Sequence, residues 1–360
     1  MALLNSYTRA VMTMPPDHWW IERVQRSAAR VRPGADQGSI DLLPRHASMR
    51  RYARVTVAGR SEIALLTPPP SDITDEAGPP SDDFLAARDW LAALGLPVPA
   101  LYAVDDIDAV WWLEDAGQED FDMWFQRTGA SCAHAYAAPV ELLLRFQRAT
   151  KGVTLPDFVA GRCFDKALLL WELEHYRDWR LTADLGLTLT PGQAAALQKE
   201  FEALADAVAQ IPQVVIHRDF QSHNLMVHPD GALRLLDFQD VMLGPVVYDA
   251  VALLRDSYIE IPQAQLEGLV LQWATGAAEL HGVSIAQLTS WFYLQTLQRK
   301  LKDAGRFVYI DRVKGNASFL KYIPPSLRYV RDTLSRVPQA AALAELLQTL
   351  DPALQPARED

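Results

Sequence analysis

From Asp17 the segment HWWIERVQRSAARV carries apolar residues at helical spacing, with Asp17 as its N-cap behind Pro15-Pro16. At Ser39 the period changes to two. SIDLLPRH, MRRYARVTV and, across the Ala58-Gly59-Arg60 turn, EIALLTPPP read as strands of an antiparallel sheet. Ser71 to Asp83, rich in Pro, Ser and acids, reads as a mobile loop. An amphipathic helix follows from Asp83 to Leu94, stopped at Gly95, before LPVPALYAVDD leads to the strand AVWWLED. Beyond it helical patterns dominate: FDMWFQRTG, AHAYAAPVELLLRFQRATKG, Phe164 to Leu181, Pro191 to Gln210, Gln263 to His281, Ser284 to Gly305, Pro325 to Arg336 and Gln339 to Leu350. The pattern predicts an α+β fold of two lobes. An N-lobe antiparallel sheet with a helix spans 17–113, a mostly helical C-lobe spans 114–360, and 1–16 is a disordered lead.

Between the helices lies one stretch of different character, Val214 to Asp249. Val214-Val215-Ile216 is short and β-branched, like a buried strand, and delivers His217, Arg218 and Asp219 onto a loop. Asn224 comes five residues after Asp219. A hairpin around Pro229-Asp230-Gly231 then ends on Asp237-Phe238. Phosphoryl transfer needs an acid to accept the hydroxyl proton and oxygen ligands that hold Mg²⁺ against the phosphates of ATP. In that chemistry Asp219 is the general base, Asn224 and Asp237 the metal ligands, and His217 a buried brace for the loop. Gly244-Pro245 and Tyr248-Asp249 follow almost at once, leaving no room for a protein-substrate platform. Asp249 opens the apolar run VALLRDSYI, where its carboxylate would cap a helix and accept backbone amides of the catalytic loop.

The chain of 360 residues is 49% hydrophobic and 22% charged, enough for a sizeable core. Its net charge of −11 argues against a nucleic-acid partner. Cys132 and Cys163 form neither a metal spacing nor a disulfide framework, which fits the cytoplasm. No apolar run approaches the ~20 residues of a membrane span. The expected form is a monomer.

HRDFQSHN, LDFQD, GPVVYD and the later QRKLK resemble the aminoglycoside phosphotransferase (choline kinase-like) superfamily, and within it the bacterial anomeric N-acetylmuramate/N-acetylglucosamine kinases. The resemblance implies a protein-kinase-like fold with ATP in the cleft. It also implies an amino-sugar acceptor phosphorylated at its anomeric hydroxyl during cell-wall sugar recycling. An aminoglycoside or other small-alcohol phosphotransferase would share every catalytic residue. A nucleotide-binding pseudokinase scaffold is the alternative from another class, because EIALL places Leu66 where kinases carry a phosphate-binding lysine, and the usual glycine-rich loop is replaced by Arg45-His46-Ala47-Ser48.

The amino-sugar kinases also lack that lysine and share the pattern seen here as Ser48, Arg50, Arg51, Tyr52 and Arg54. Strand alternation puts Arg51 with Ala53, Val55 and Val57, on the apolar face expected to cover a nucleotide. There its guanidinium would clamp phosphates, with Ser48 letting backbone amides approach. A solvated strand edge is the other reading. Trp111 to Asp115 occupies the interlobe hinge, so backbone near Leu113 and Glu114 would meet adenine. For the acceptor, Glu172, Glu174 and Asp178 share a helix with aromatic residues and would line the sugar site. Arg299 and Lys302 would meet a sugar carboxylate. Ordinary charged helix faces are the alternative for both groups.

Overall fold

The computed structural model describes residues 15–44, 50–67 and 83–355. Ser48 and the turn around it therefore lie outside the described residues, as do the loop from Ser71 up to Asp83 and the lead through Met14. The chain divides into two compact units, one of Met1–Asp82 with Pro99–Ala116, the other of Asp83–Val98 with Gly117–Asp360. The helix after the loop, read from sequence as N-lobe, thus groups with the second unit.

In the first unit α1 (Asp17–Val31) packs on a sheet of β1 (Ser39–Leu42), β2 (Arg51–Val57), β3 (Arg60–Leu66), β4 (Leu101–Asp105) and β5 (Val110–Glu114), in the order β1-β2-β3-β5-β4. All its pairings are antiparallel. Helix α1 begins one residue earlier than expected, with Pro16 at the cap and Asp17 inside the first turn. The β2–β3 hairpin closes through Ala58 (φ 48°) and Gly59 (φ 78°), the left-handed pair that a two-residue hairpin requires. Alternation places Ala53 and Val55 on one face with Ala64, Leu66, Val110 and Trp112, and Trp20, Val24 and Ala28 of α1 pack against them. Polar anchors fix the helix: Trp112 Nε1 donates to Ser27 Oγ at 2.9 Å, and the buried Arg23 donates to the carbonyls of Thr67 and Asp108.

The second unit carries α2 (Asp83–Ala93), β6 (Glu119–Asp120), α3 (Phe121–Thr128), the short α4 (Cys132–Ala135), α5 (Ala137–Thr150), the short α6 (Asp157–Ala160), α7 (Lys166–His175) and α8 (Pro191–Ala209). Next come β7 (Gln213–Ile216), β8 (Leu225–Val227), β9 (Leu233–Leu235) and β10 (Met242–Pro245). The chain closes with α9 (Tyr248–Leu254), α10 (Gln263–His281), α11 (Ile285–Lys314), α12 (Ile323–Leu334) and α13 (Ala341–Leu350). Strand β10 pairs with β7, and β6, β8 and β9 form a three-stranded sheet.

Larger departures from the expected spans occur in the second unit. The Phe164–Leu181 pattern starts as α7, capped by the Asp165 carboxylate on the Leu168 amide, then widens into a π-helix over Tyr176–Asp184. Asp351 anchors that π segment, accepting from Tyr176 Oη at 2.9 Å and from Arg180. Helix α9 stops at Leu254, leaving Arg255 and Asp256 buried in the turn beyond it. Helix α11 runs through Gly305 to Lys314 and ends at Gly315 (φ 67°). Gly305 is no stop: a Cβ there would fall 2.2 Å from the His175 carbonyl oxygen, so its bare backbone lets α11 press against the junction of α7 and the π segment.

Candidate active site

Strand β7 carries the chain into the loop His217-Arg218-Asp219, and two non-glycine residues near it are left-handed, Arg218 at φ 77° and Asp237 at φ 60°. Such geometry costs on the order of 1–3 kcal/mol and persists only where surroundings enforce it. Asp249 supplies the enforcement. Its carboxylate accepts the His217 amide at 2.7 Å and the Arg218 amide at 3.0 Å. Burial pushes this carboxyl up to about 7, against the two amides and Arg299, which favour the anion. His217 is fully buried beside the rings of Phe146 and Phe220, and burial lowers it to about 4, so it is neutral at physiological pH.

Downstream, the Asn224 side-chain amide donates to the Asp219 carbonyl at 2.8 Å, closing the turn that carries the half-buried Asp219. The far end is pinned by Asp256, which accepts from the Ser222 amide at 2.8 Å and its hydroxyl at 2.6 Å. Pairing of β8 with β9 brings the second acid alongside: the Leu236 amide donates to the Asn224 carbonyl at 2.9 Å, one residue before Asp237. Gln239 Nε2 donates to Asp237 Oδ1 at 2.6 Å.

With the Asn224 nitrogen directed at Asp219, its Oδ1 and the Asp237 carboxylate are two hard oxygens on adjoining turns. That donor set suits Mg²⁺, which keeps waters and takes phosphate oxygens rather than a full protein cage. Among the described residues no group of three or more His, Cys, Asp or Glu gathers in metal-binding geometry.

Arg299, expected to meet a sugar carboxylate, has protein partners in the structure. It is buried behind the loop, with Nη1 donating to the Arg218 carbonyl at 3.2 Å, Nη2 lying 3.7 Å from Asp219 Oδ1, and its guanidinium 4.8 Å over the Tyr248 ring. The three acids of the expected sugar helix also separate. Glu172 is buried and accepts from Gln298 Nε2 at 3.0 Å, whereas Glu174 and Asp178 pair with Arg177 on another face. Spacing explains this, because residues 174, 177 and 178 share one helical face and 172 lies on another.

The nucleotide expectations change in the first unit. Arg51 does share the Ala53 and Val55 face, but that face is filled by α1. Arg51 is buried there, donating to the Leu43 carbonyl and paired with Asp17 at 3.5 Å. Leu66 belongs to the same core, buried with Ala64, Val110 and Trp112. Arg54, on the opposite face, makes a two-point contact with Asp115 at 2.6 and 3.0 Å. Leu113 sits inside the sheet between Ile63 and Leu101, and the Glu114 amide donates to the Ala100 carbonyl at 2.8 Å.

Three supports of the site were not anticipated: Tyr248 under Arg299, Asp256 under Ser222, and Asp120. The last accepts Met123 N as the cap of α3 and lies 2.6 Å from His223 Nδ1 in the catalytic turn. Asp256 carried the one available signal, an acid inside an apolar run.

Residues 39–283 match the phosphotransferase enzyme family (APH). The chain is 32% identical over 318 residues to the N-acetylmuramate/N-acetylglucosamine kinase of Pseudomonas putida, covering 87% of this chain and 88% of that protein. It is 29% identical over 307 residues to the protein of the same name from Pseudomonas aeruginosa, covering 84% and 86%. Choline kinase LicA from Streptococcus pneumoniae shares the fold, with TM-score 0.58 at 13% identity over 88% of this chain and 99% of that one.

Proposed function

Because the chain belongs to the APH phosphotransferase enzyme family and is an ATP-dependent phosphotransferase, we propose that it phosphorylates the anomeric hydroxyl of N-acetylmuramate and/or N-acetylglucosamine. The chemistry rests on one arrangement, Asp219 held by the Asn224 amide on its carbonyl and by buried Arg299 beside its carboxylate. The choice of acceptor rests on the names of the two relatives. Asp219 orients the sugar hydroxyl and takes its proton as the oxygen attacks the γ-phosphorus of ATP, whose bond to the β–γ bridging oxygen breaks to release ADP. An anomeric hydroxyl is more acidic than an ordinary alcohol, so a carboxylate suffices as base. His217, buried and neutral, holds the loop and moves no proton. Asn224 Oδ1 and Asp237 would hold Mg²⁺, which when bound neutralises charge on the phosphates.

This reading places the protein in the cytoplasm, as a monomer, acting on amino sugars released in cell-wall recycling. Both described cysteines are free, in keeping with it, and among the described residues no helix is long and apolar enough to cross a membrane. The test is ATP turnover against N-acetylmuramate, N-acetylglucosamine, glucose, choline and kanamycin, with Asp219→Asn as control. Turnover of either amino sugar, reduced by roughly 10²-fold or more in the variant, is expected. Turnover of kanamycin alone would replace the acceptor assignment.

A further inference from the structure

Helix α11 leaves the catalytic loop at Arg299, and the same helical face continues through Lys302 to Arg306, about 10 Å further along the axis. Exposure rises along it: the side chain is 1% exposed at Arg299, 15% at Lys302, and half-buried at Arg306. Aromatic rings flank the emerging end. His175 lies 4.4 Å from Trp171 and 5.9 Å from Tyr309, Trp179 lies 5.1 Å from Tyr309, and the Arg306 guanidinium sits 4.7 Å over the Tyr309 ring. Trp171, a large apolar side chain, is 51% exposed.

The charges on this face do not balance locally. Lys302 shares Asp303 with Lys300, at 2.9 and 2.7 Å, so two ammonium groups meet one carboxylate. Arg306 makes no ion pair with any described residue. The neighbouring arginines behave otherwise, Arg177 pairing with Glu174 and Asp178, and Arg180 with Asp184 and Asp351. A solvated helix face would give Arg306 the same treatment. His175 adds no charge, since burial holds it below its ordinary pKa, with Arg306 and Lys302 pushing the same way.

We propose that Lys302 and Arg306, with Trp171, Trp179 and Tyr309 as an apolar wall, form a subsite for a carboxylate-bearing substituent on the acceptor sugar. The proposal deepens the amino-sugar kinase reading and rests on it. A sugar ring presents C–H groups to an aromatic face, while a guanidinium fork takes a carboxylate through two parallel hydrogen bonds. Lys302 and Arg306 follow Arg299 on the helical face whose Arg299 reaches Asp219, so a sugar with its reacting hydroxyl at Asp219 has this cationic face beside it.

N-acetylmuramate carries such an acid and N-acetylglucosamine does not, so the pair isolates the subsite. Arg306→Gln and Lys302→Gln should each lower kcat/KM for N-acetylmuramate at least about tenfold more than for N-acetylglucosamine, through KM. Arg306→Lys, which keeps charge without the fork, should fall between wild type and Arg306→Gln. Equal losses on both sugars, or none on the acid sugar, would overturn the subsite. Calorimetric binding of the two sugars to the same proteins separates this from the underlying reading. Wild-type protein that binds N-acetylmuramate in an Arg306-dependent manner yet phosphorylates neither sugar would sink the kinase assignment alone. Binding indifferent to Arg306→Gln would sink the subsite alone.

Discussion

Arg299 donates to the Arg218 carbonyl and reaches to 3.7 Å from Asp219, so the acid proposed as base lies beside a buried cation 81 residues beyond the loop's arginine. Tyr248 lies beneath that guanidinium and Asp249, next in the chain, holds the same loop from its amides, so one dipeptide serves both supports. Removing the cation leaves Asp219 without its fixed partner but touches no phosphate. Arg299→Met is expected to lower kcat by at least about tenfold while KM for ATP stays within about threefold. Steady-state kinetics decide it, and a loss confined to KM for the sugar would return Arg299 to direct acceptor binding.

Asp237 ends the β9 turn in a left-handed conformation beside the Asn224 strand, as one of two hard oxygens offered to a metal. Asp237→Ala should abolish Mg²⁺-dependent nucleotide binding and turnover together. Calorimetry of ATP binding with and without Mg²⁺ is the measurement. Unchanged Mg-ATP affinity would remove Asp237 from the metal site.

His217 makes stability depend on pH in a defined window. Its folded pKa, about 4, lies below the ordinary 6.5 because burial disfavours the cation. A depressed value means the unfolded chain takes up the proton first, so the contribution is complete above 6.5 and is lost as pH falls toward 4. The loss is on the order of 3 kcal/mol. Denaturant unfolding from pH 7 to 4 should therefore show a shallower decline in His217→Gln than in wild type. Parallel declines would show that the His217 imidazole takes up its proton equally readily in the folded and unfolded states.

Arg51→Ala should act on stability. With its guanidinium on the Leu43 carbonyl under α1, truncation is expected to cost about 1–3 kcal/mol of folding stability, with KM for ATP changed less than about threefold. Thermal unfolding beside ATP kinetics tests this. A tenfold rise in KM at unchanged Tm would put the phosphate clamp back on this residue.

The juxtaposition of Asp219, Asn224 and Asp237 was readable because it is local. Asp219 and Asn224 are five apart on one loop, and Asp237 follows a single hairpin, so no distant contact is needed to bring them together. Arg51 shows where such reading stops. Alternation tells which residues share a face of β2, but only the packing of Trp20, Val24 and Ala28 tells which face is covered. Arg299 and Asp256 escaped for a related reason, since each acts on a loop from another part of the chain. Gly305 was ambiguous by nature, because a glycine in a helical pattern marks either an end or a close approach.

That close approach also bears on any attempt to retarget the enzyme. At Gly305 the backbones of α11 and α7 touch, so these two helices cannot be brought nearer, and any side chain larger than hydrogen would wedge them apart. The spacing between them is consequently a fixed gauge, indifferent to the substrate. Room for a bulkier acceptor would have to be cut from the side chains that line the gap, by shortening Trp171, Trp179 or Tyr309. In a selection for new acceptors, winners should accumulate at those positions, while position 305 should remain empty of them.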